Sequence, residues 1–256
     1  MIMKRSTYML IGMVLFWFLV TPFLYDYRNR YDESIVIAGK SKLVKYAPVS
    51  VMKVVVNDEN YSRYDQNIMI ESCEGDSIEC QYDSDWDKYL TIKENSDTLT
   101  FFFDLEKIRT ELNAIGSFEV HTSRIVLKVP QNVIKCLNTK ECRNFVELEV
   151  NNYSTDSLDV SYGWRFTLKN SRIGNLGLSN LGGSVNFIGS NEVNKLHVLL
   201  SNNTLYGNGK LDVETLWLEG SGKCEMPEID ADKVIIDAKE NEYIEVKFQG
   251  KSELDV

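Results

Sequence analysis

The sequence is poor in the residues that do chemistry. It has two histidines, His121 and His197, and neither has a second histidine, a cysteine or a paired carboxylate at ligand spacing. A metal centre is therefore not expected at either. No G-x-S-x-G elbow presents a serine nucleophile. The glycines of Gly174-Asn175-Leu176-Gly177-Leu178 are followed by neither a lysine nor a helix start, which excludes a phosphate loop. The five cysteines contain no C-x-x-C spacing, so zinc-ribbon and thiol-redox motifs are excluded as well. Positive charge is also scarce. The formal charge is −10, and the first 30 residues carry +3 from Lys4, Arg5, Arg28 and Arg30 against Asp26, which leaves −13 on the rest. Such a surface repels nucleic-acid phosphates. The expectation is a chain with no catalytic residues, no cofactor, no metal and no nucleic-acid partner.

What is present begins at the N-terminus. Residues 8–25 form an 18-residue run without charge, preceded by Lys4 and Arg5. That length lies between a membrane-spanning helix and the core of a signal peptide. Trp17, Phe18, Phe23 and Tyr25 suit the membrane interface. No small-x-small cleavage site follows, and no cysteine for lipid attachment lies nearby. The segment reads as an uncleaved transmembrane signal anchor rather than a cleaved peptide. Residues 1–7 would then be a cytoplasmic tail, and the bulk would lie on the periplasmic or extracellular side of the cell membrane. In that oxidising compartment Cys73–Cys80 and Cys136–Cys142 could each close a small loop, while Cys224 is expected as a buried thiol.

Residues 26–44 read as a linker and first strand, and residues 45–132 as an irregular β-rich region. The region contains one short helix over 103–113, where Leu105, Ile108 and Leu112 recur at helical spacing. From 133 to 256 the pattern becomes regular. Two series of mostly apolar-x-apolar triplets alternate. One starts at Leu158, Leu176, Leu196, Leu216, Val234 and Leu254, and the other at Leu148, Phe166, Val185, Thr204, Cys224 and Ile244. Two strands per 18–20 residues mark a parallel β-solenoid, whose coils bury their apolar sides only by stacking. Asn, Gly, Ser and Asp fill the corners, where a left-handed backbone is tolerated. The alternation of strand side chains sends the first and third triplet residues inward, with Leu205 replacing Thr204 through a one-residue shift. The middle residues of the first series, Asp159, Gly177, His197, Trp217, Ile235 and Asp255, point outward.

That outward row holds the candidate site. Trp217 lies between His197 and Ile235, with Leu199 one step along. Exposed strips of this kind bind glycans or protein partners, unless a loop, the N-terminal region or another subunit covers them. A second cluster, Asp83, Asp85, Asp87 and Glu94, has the carboxylate spacing of a calcium loop. Lys88 stands where that loop needs glycine, and the flanks read as β, so a solvated acidic turn is expected. The last triplet, Leu254-Asp255-Val256, offers an open sheet edge through which copies could associate.

An N-terminal hydrophobic segment, an irregular β region, the Val129-Pro130 step and then coils of Leu-x-Val-like triplets with Asn/Gly/Ser corners together resemble one family. It is the auto-transporter adhesin head, or GIN, domain of exported Bacteroidetes proteins, and the resemblance covers roughly residues 45–256. It implies a right-handed solenoid and defines no catalytic residues. The chain departs from it in its two close cysteine pairs and in lacking a lipid-attachment cysteine. The reading is a membrane-anchored, adhesin-like binding or scaffolding module of the cell envelope, and not an enzyme. The alternatives are a β-helix enzyme acting on polysaccharide and an accessory subunit of an envelope signalling complex.

Overall fold

The computed structural model describes residues 33–57, 63–64, 66–113, 118–139, 142, 146–180, 183–238, 243–248 and 253–255, with Met13, Phe16, Trp17, Val20 and Thr21. The strands in chain order are β1 (Glu33–Ile37), β2 (Ser41–Tyr46), β3 (Val51–Asn57), β4 (Arg63–Tyr64), β5 (Gln66–Cys73), β6 (Ile78–Asp83), β7 (Leu90–Asn95), β8 (Thr98–Asp104), β9 (Phe118–Thr122), β10 (Ile125–Pro130) and β11 (Cys136–Asn138). They continue with β12 (Val146–Asn151), β13 (Ser154–Tyr162), β14 (Arg165–Lys169), β15 (Arg172–Asn180), β16 (Gly183–Ile188), β17 (Glu192–Asn208), β18 (Leu211–Met226), β19 (Ile229–Asp237), β20 (Ile244–Phe248) and β21 (Glu253–Asp255). The helix α1 spans Leu105–Leu112, inside the range its leucine spacing predicts, with the Asp104 side chain accepting the Lys107 N–H at its start.

The strands form two facing sheets of a β-solenoid-like body with about five turns. On the first face Leu158 pairs with Leu176, and the column continues through Leu196, Leu216, Val234 and Leu254. This is the expected register, and it follows from apolar residues at every second position that have nowhere else to go. Leu158, Leu176, Leu196, Leu216 and Val234 are all buried. Each such side chain contributes about 1.5–3 kcal/mol relative to an exposed one. Asparagines at the corners adopt the left-handed backbone at Asn152, Asn170 and Asn202.

The second face departs from the expected register. Leu148 pairs with Phe166, and Phe166 with Val185, as the triplets predict. Val185 then pairs with Gly207, not with Thr204 or Leu205. Leu205 instead continues to Cys224, and Cys224 to Val246 rather than Ile244, which faces Gly222. The steps Val185–Gly207 and Cys224–Val246 are 22 residues each, beyond the expected 18–20. At the first of these steps β17 turns the corner as one unbroken strand, with a bulge between Ser201 and Asn203. Gly207 takes the core slot without a side chain. A Cβ there would lie 2.6 Å from Met226 Cγ, so Met226 fills the space instead.

The N-terminal strands continue the same two sheets. β3 pairs in parallel with β11 on the first face, and β5 with β12 on the second. Antiparallel strands close this end, β7 beyond β8 and β2 beyond β6. Trp86, fully buried, packs edge-on against Phe103 with ring centroids 5.1 Å apart and donates its indole N–H to Thr122. That bond ties in a small parallel sheet of β1, β9 and β4. Of the expected anchor at 8–25, only the five residues named above are described, all helical. The rest of the anchor and the tail 1–7 lie outside the described residues. Among the described residues, no helix is long and apolar enough to cross a membrane.

Candidate functional site

The outward row of the first face comes together as its parity predicts. Asp159 stands beside Gly177, Gly177 beside His197, His197 beside Trp217 and Trp217 beside Ile235. A Cβ on Gly177 would sit 2.2 Å from Asp159 Oδ1, so the exposed Asp159 carboxylate lies across the bare glycine position. His197 and Trp217 stack, with centroids 4.4 Å apart and an interplanar angle of 23°. His197 Nε2 lies 2.9 Å from Glu219 Oε2. Leu199 pairs with Glu219 one row over. Trp217 is 39% exposed and Leu199 37%, with His197 and Ile235 half-buried. The stack covers one face of the indole, so the strip shows ring edges and aliphatic carbons to solvent. Lys195 and Lys233 stand along one border, Glu219 and Asp237 along the other. The arrangement can take an apolar contact surface between polar rims.

The other sequence-marked residues do not form sites. Asp87 accepts from Lys42 Nζ at 2.7 and 2.8 Å and from the Tyr82 hydroxyl at 3.0 Å. Asp83 accepts from Ser123. Ser84–Lys88, which follows Asp83 and contains Asp87, forms a 3-10 turn that buries Trp86. The calcium-like spacing is thus a polar turn over a buried indole, and no group of three ligating residues is found among the described residues. Among the described residues, the carboxyl groups with a displaced pKa, Glu79, Asp87, Asp97, Glu192 and Glu225, are each pushed down by a hydrogen-bonded partner. Of the two histidines, the His121 side chain lies outside the described residues.

All five cysteines are free thiols, which corrects the expected loops. β10 separates the strands that carry Cys73 and Cys80, because Pro130 pairs with Cys73 and Leu127 with Cys80. Two strand spacings of about 4.8 Å already exceed the Cα separation a disulfide tolerates. Cys136 lies opposite Val51, whereas the Cys142 thiol donates to the Val54 carbonyl at 3.2 Å, three residues along the same strand. Burial pushes the Cys80 and Cys224 thiols up to about 12.

Sequence reasoning missed a second set of exposed aromatics. Trp164, Tyr206 and Tyr243 are 40%, 51% and 71% exposed. The one-residue shift to Leu205 already places Tyr206 outward on the second face, so strand parity was the signal that could have marked it.

No family model matches the chain, and no curated protein is similar to it in sequence. Some solved structures are similar in shape. A candidate lipid binding protein from Parabacteroides distasonis is 10% identical with a TM-score of 0.43, covering 87% of this chain and 98% of that one. A candidate adhesin from Bacteroides fragilis is 14% identical with a TM-score of 0.36, covering 86% and 98%. Another, from Parabacteroides merdae, is 14% identical with a TM-score of 0.34, covering 88% and 100%. Likeness at this level carries no argument about what this chain binds.

Proposed function

We propose that this chain is a non-catalytic, adhesin-like binding or scaffolding module of the cell envelope. Residues 8–25 hold it at the membrane, its bulk lies on the periplasmic or extracellular side, and its coil is right-handed, as parallel crossovers nearly always are. The observation that carries the reading is the strip of His197, Leu199, Trp217 and Ile235, apolar and accessible on an otherwise polar sheet face. Its partner is a glycan or a protein surface that covers ring edges and aliphatic carbons together.

The test pairs an array of host and bacterial glycans with a light-scattering mass, for the purified chain and for Trp217→Ala. Trp217→Ala is expected to stay folded, at a cost of about 1 kcal/mol for the lost His197 stack. It is expected to lose either a selective glycan signal or an oligomeric mass. A variant that matches the parent in both readouts removes the strip as the contact surface.

A further inference from the structure

The second face carries a groove that the outward strip does not use. Trp164 precedes Arg165, which lies opposite Ser184, which lies opposite Tyr206. Tyr206 therefore stands two coils beyond Trp164, at about 10 Å from the strand spacing of parallel sheets. Between the two rings is a cleft of about 450 Å³, lined by Trp164, Arg165, Gly183, Ser184, Thr204 and Tyr206. Thr204 also lines a polar depression of about 230 Å³ with Asn202, Ser221, Lys223 and Tyr243. The two depressions share Thr204 as a lining residue. Tyr243 stands at the far end, where its carbonyl accepts the Gly222 N–H at 3.0 Å.

The floor and walls are held in place. A Cβ on Gly183 would lie 2.0 Å from the Trp164 carbonyl oxygen, so the floor stays open only with glycine there. The Ser184 N–H donates to that same oxygen at 3.1 Å. The Arg165 guanidinium lies over the Trp164 ring, 5.9 Å from its centroid.

Charge and spacing define the occupant. Arg165 pairs with Glu147 at 3.6 Å, and Lys223 with Glu225 at 2.7 Å and Glu245 at 2.9 Å. Lys247 stands opposite Glu225. Three cations thus meet three carboxylates, and the groove offers no net charge to a polyanion, while the chain as a whole is acidic. What it offers is two exposed aromatic rings with the Ser184 and Thr204 hydroxyls in the same cleft and the Asn202 amide in the neighbouring depression. One sugar ring advances a glycan chain by about one coil step, so aromatics two coils apart meet alternate rings. Their apolar faces cover the C–H faces of the sugars. Ser184, Thr204 and the amide nitrogen of Asn202, whose oxygen accepts from the buried Ser221 hydroxyl at 2.7 Å, supply polar groups for sugar hydroxyls.

We propose that this groove binds a neutral polysaccharide chain laid obliquely across the coils, with Trp164 and Tyr206 contacting alternate sugar rings and Tyr243 closing the far end. It is a site separate from the Trp217 strip and does not depend on it.

The test is affinity electrophoresis of the full chain through gels containing galactomannan, xyloglucan, hydroxyethylcellulose or starch, with polygalacturonate as the charged counterpart. At least one neutral polymer is expected to retard the chain. Trp164→Ala and Tyr206→Ala should each weaken that interaction about tenfold, the loss of one aromatic contact, and Leu43→Ala, at an exposed position of β2 outside both surfaces, should leave it unchanged. Melting curves identify any variant that unfolds, in which case Tyr243→Ala and the remaining variant decide. Retardation by none of the neutral polymers, or by polygalacturonate alone, overturns the proposal. So does retardation that survives the Trp164→Ala and Tyr206→Ala double change. Sensitivity to Trp217→Ala alone moves the binding to the strip and sinks the groove.

Discussion

At the scale of single residues, neighbours in sequence do opposite things. Leu216 is buried between Leu196 and Val234, while Trp217 faces solvent between His197 and Ile235. Leu216→Ala should destabilise by about 2–5 kcal/mol, because the stacked coils cannot collapse into the cavity. A urea titration measures it, and an unchanged midpoint would mean the column is not close-packed. The cysteines make a second contrast with expectation. Burial holds the Cys80 and Cys224 thiols near 12, so the reactive thiolate is essentially absent at neutral pH. Alkylation should leave both unmodified in the native chain and label five thiols in denaturant without added reductant. Fewer than five would restore a disulfide. Spacing along the chain suggested the loops, but spacing across the sheet decides them, and a sequence carries only the first.

At the scale of elements, the N-terminal closure depends on polar contacts where the solenoid depends on apolar ones. β2 is an edge strand with an alternating exposed pattern, including the 54% exposed Leu43. Lys42 fastens it to Asp87, which the Lys42 ammonium and then the Tyr82 hydroxyl hold below the ordinary aspartate value. A carboxyl group depressed in the folded state contributes stability above its unfolded pKa and loses it as pH falls through the depressed value. The contribution of the clamp is therefore complete above about pH 4 and fades below it. Protection of the Val44 amide from hydrogen exchange, taken relative to the intrinsic rate at each pH, should fall on acidification below that point, and Lys42→Ala should produce the same loss of protection at neutral pH. Exchange that ignores both changes would show that the clamp does not hold β2. The helix α1 was legible because Leu105, Ile108 and Leu112 repeat at its period. The 3-10 turn at 84–88 was not, because its cause is Trp86 seeking Thr122 and Phe103, both distant in sequence.

At the scale of the whole molecule, the two sheets run on through residue 133 without a seam, through β3–β11 and β5–β12. One buried apolar cluster extends from Ile37 to Val234. Coils coupled this closely are expected to unfold together. Trp86 reports on one end and Trp217 on the body, so urea transitions followed in Trp86→Phe and Trp217→Phe variants should coincide after correction for each variant's own midpoint. Two separated transitions in either variant would divide the molecule. Among the described residues β20 and β21 each pair on one side only, which keeps edge-to-edge association of copies open to the light-scattering measurement.

The sequence by itself determined the architecture: an apolar residue at every second position, repeated every 18–20 residues, can be buried only by stacking coils. It also determined the first-face register and the outward place of Trp217, because the strand period is two and a one-residue slip would expose every leucine. Only the tertiary structure decided the second-face register, where β17 rounds a corner without breaking and Gly207 yields its slot to Met226. Only it decided that the cysteine pairs lie apart, that the N-terminal strands extend the solenoid, and that Trp164 and Tyr206 frame a groove. Each of these depends on which strands lie side by side, and that is chosen by the packing of the whole core.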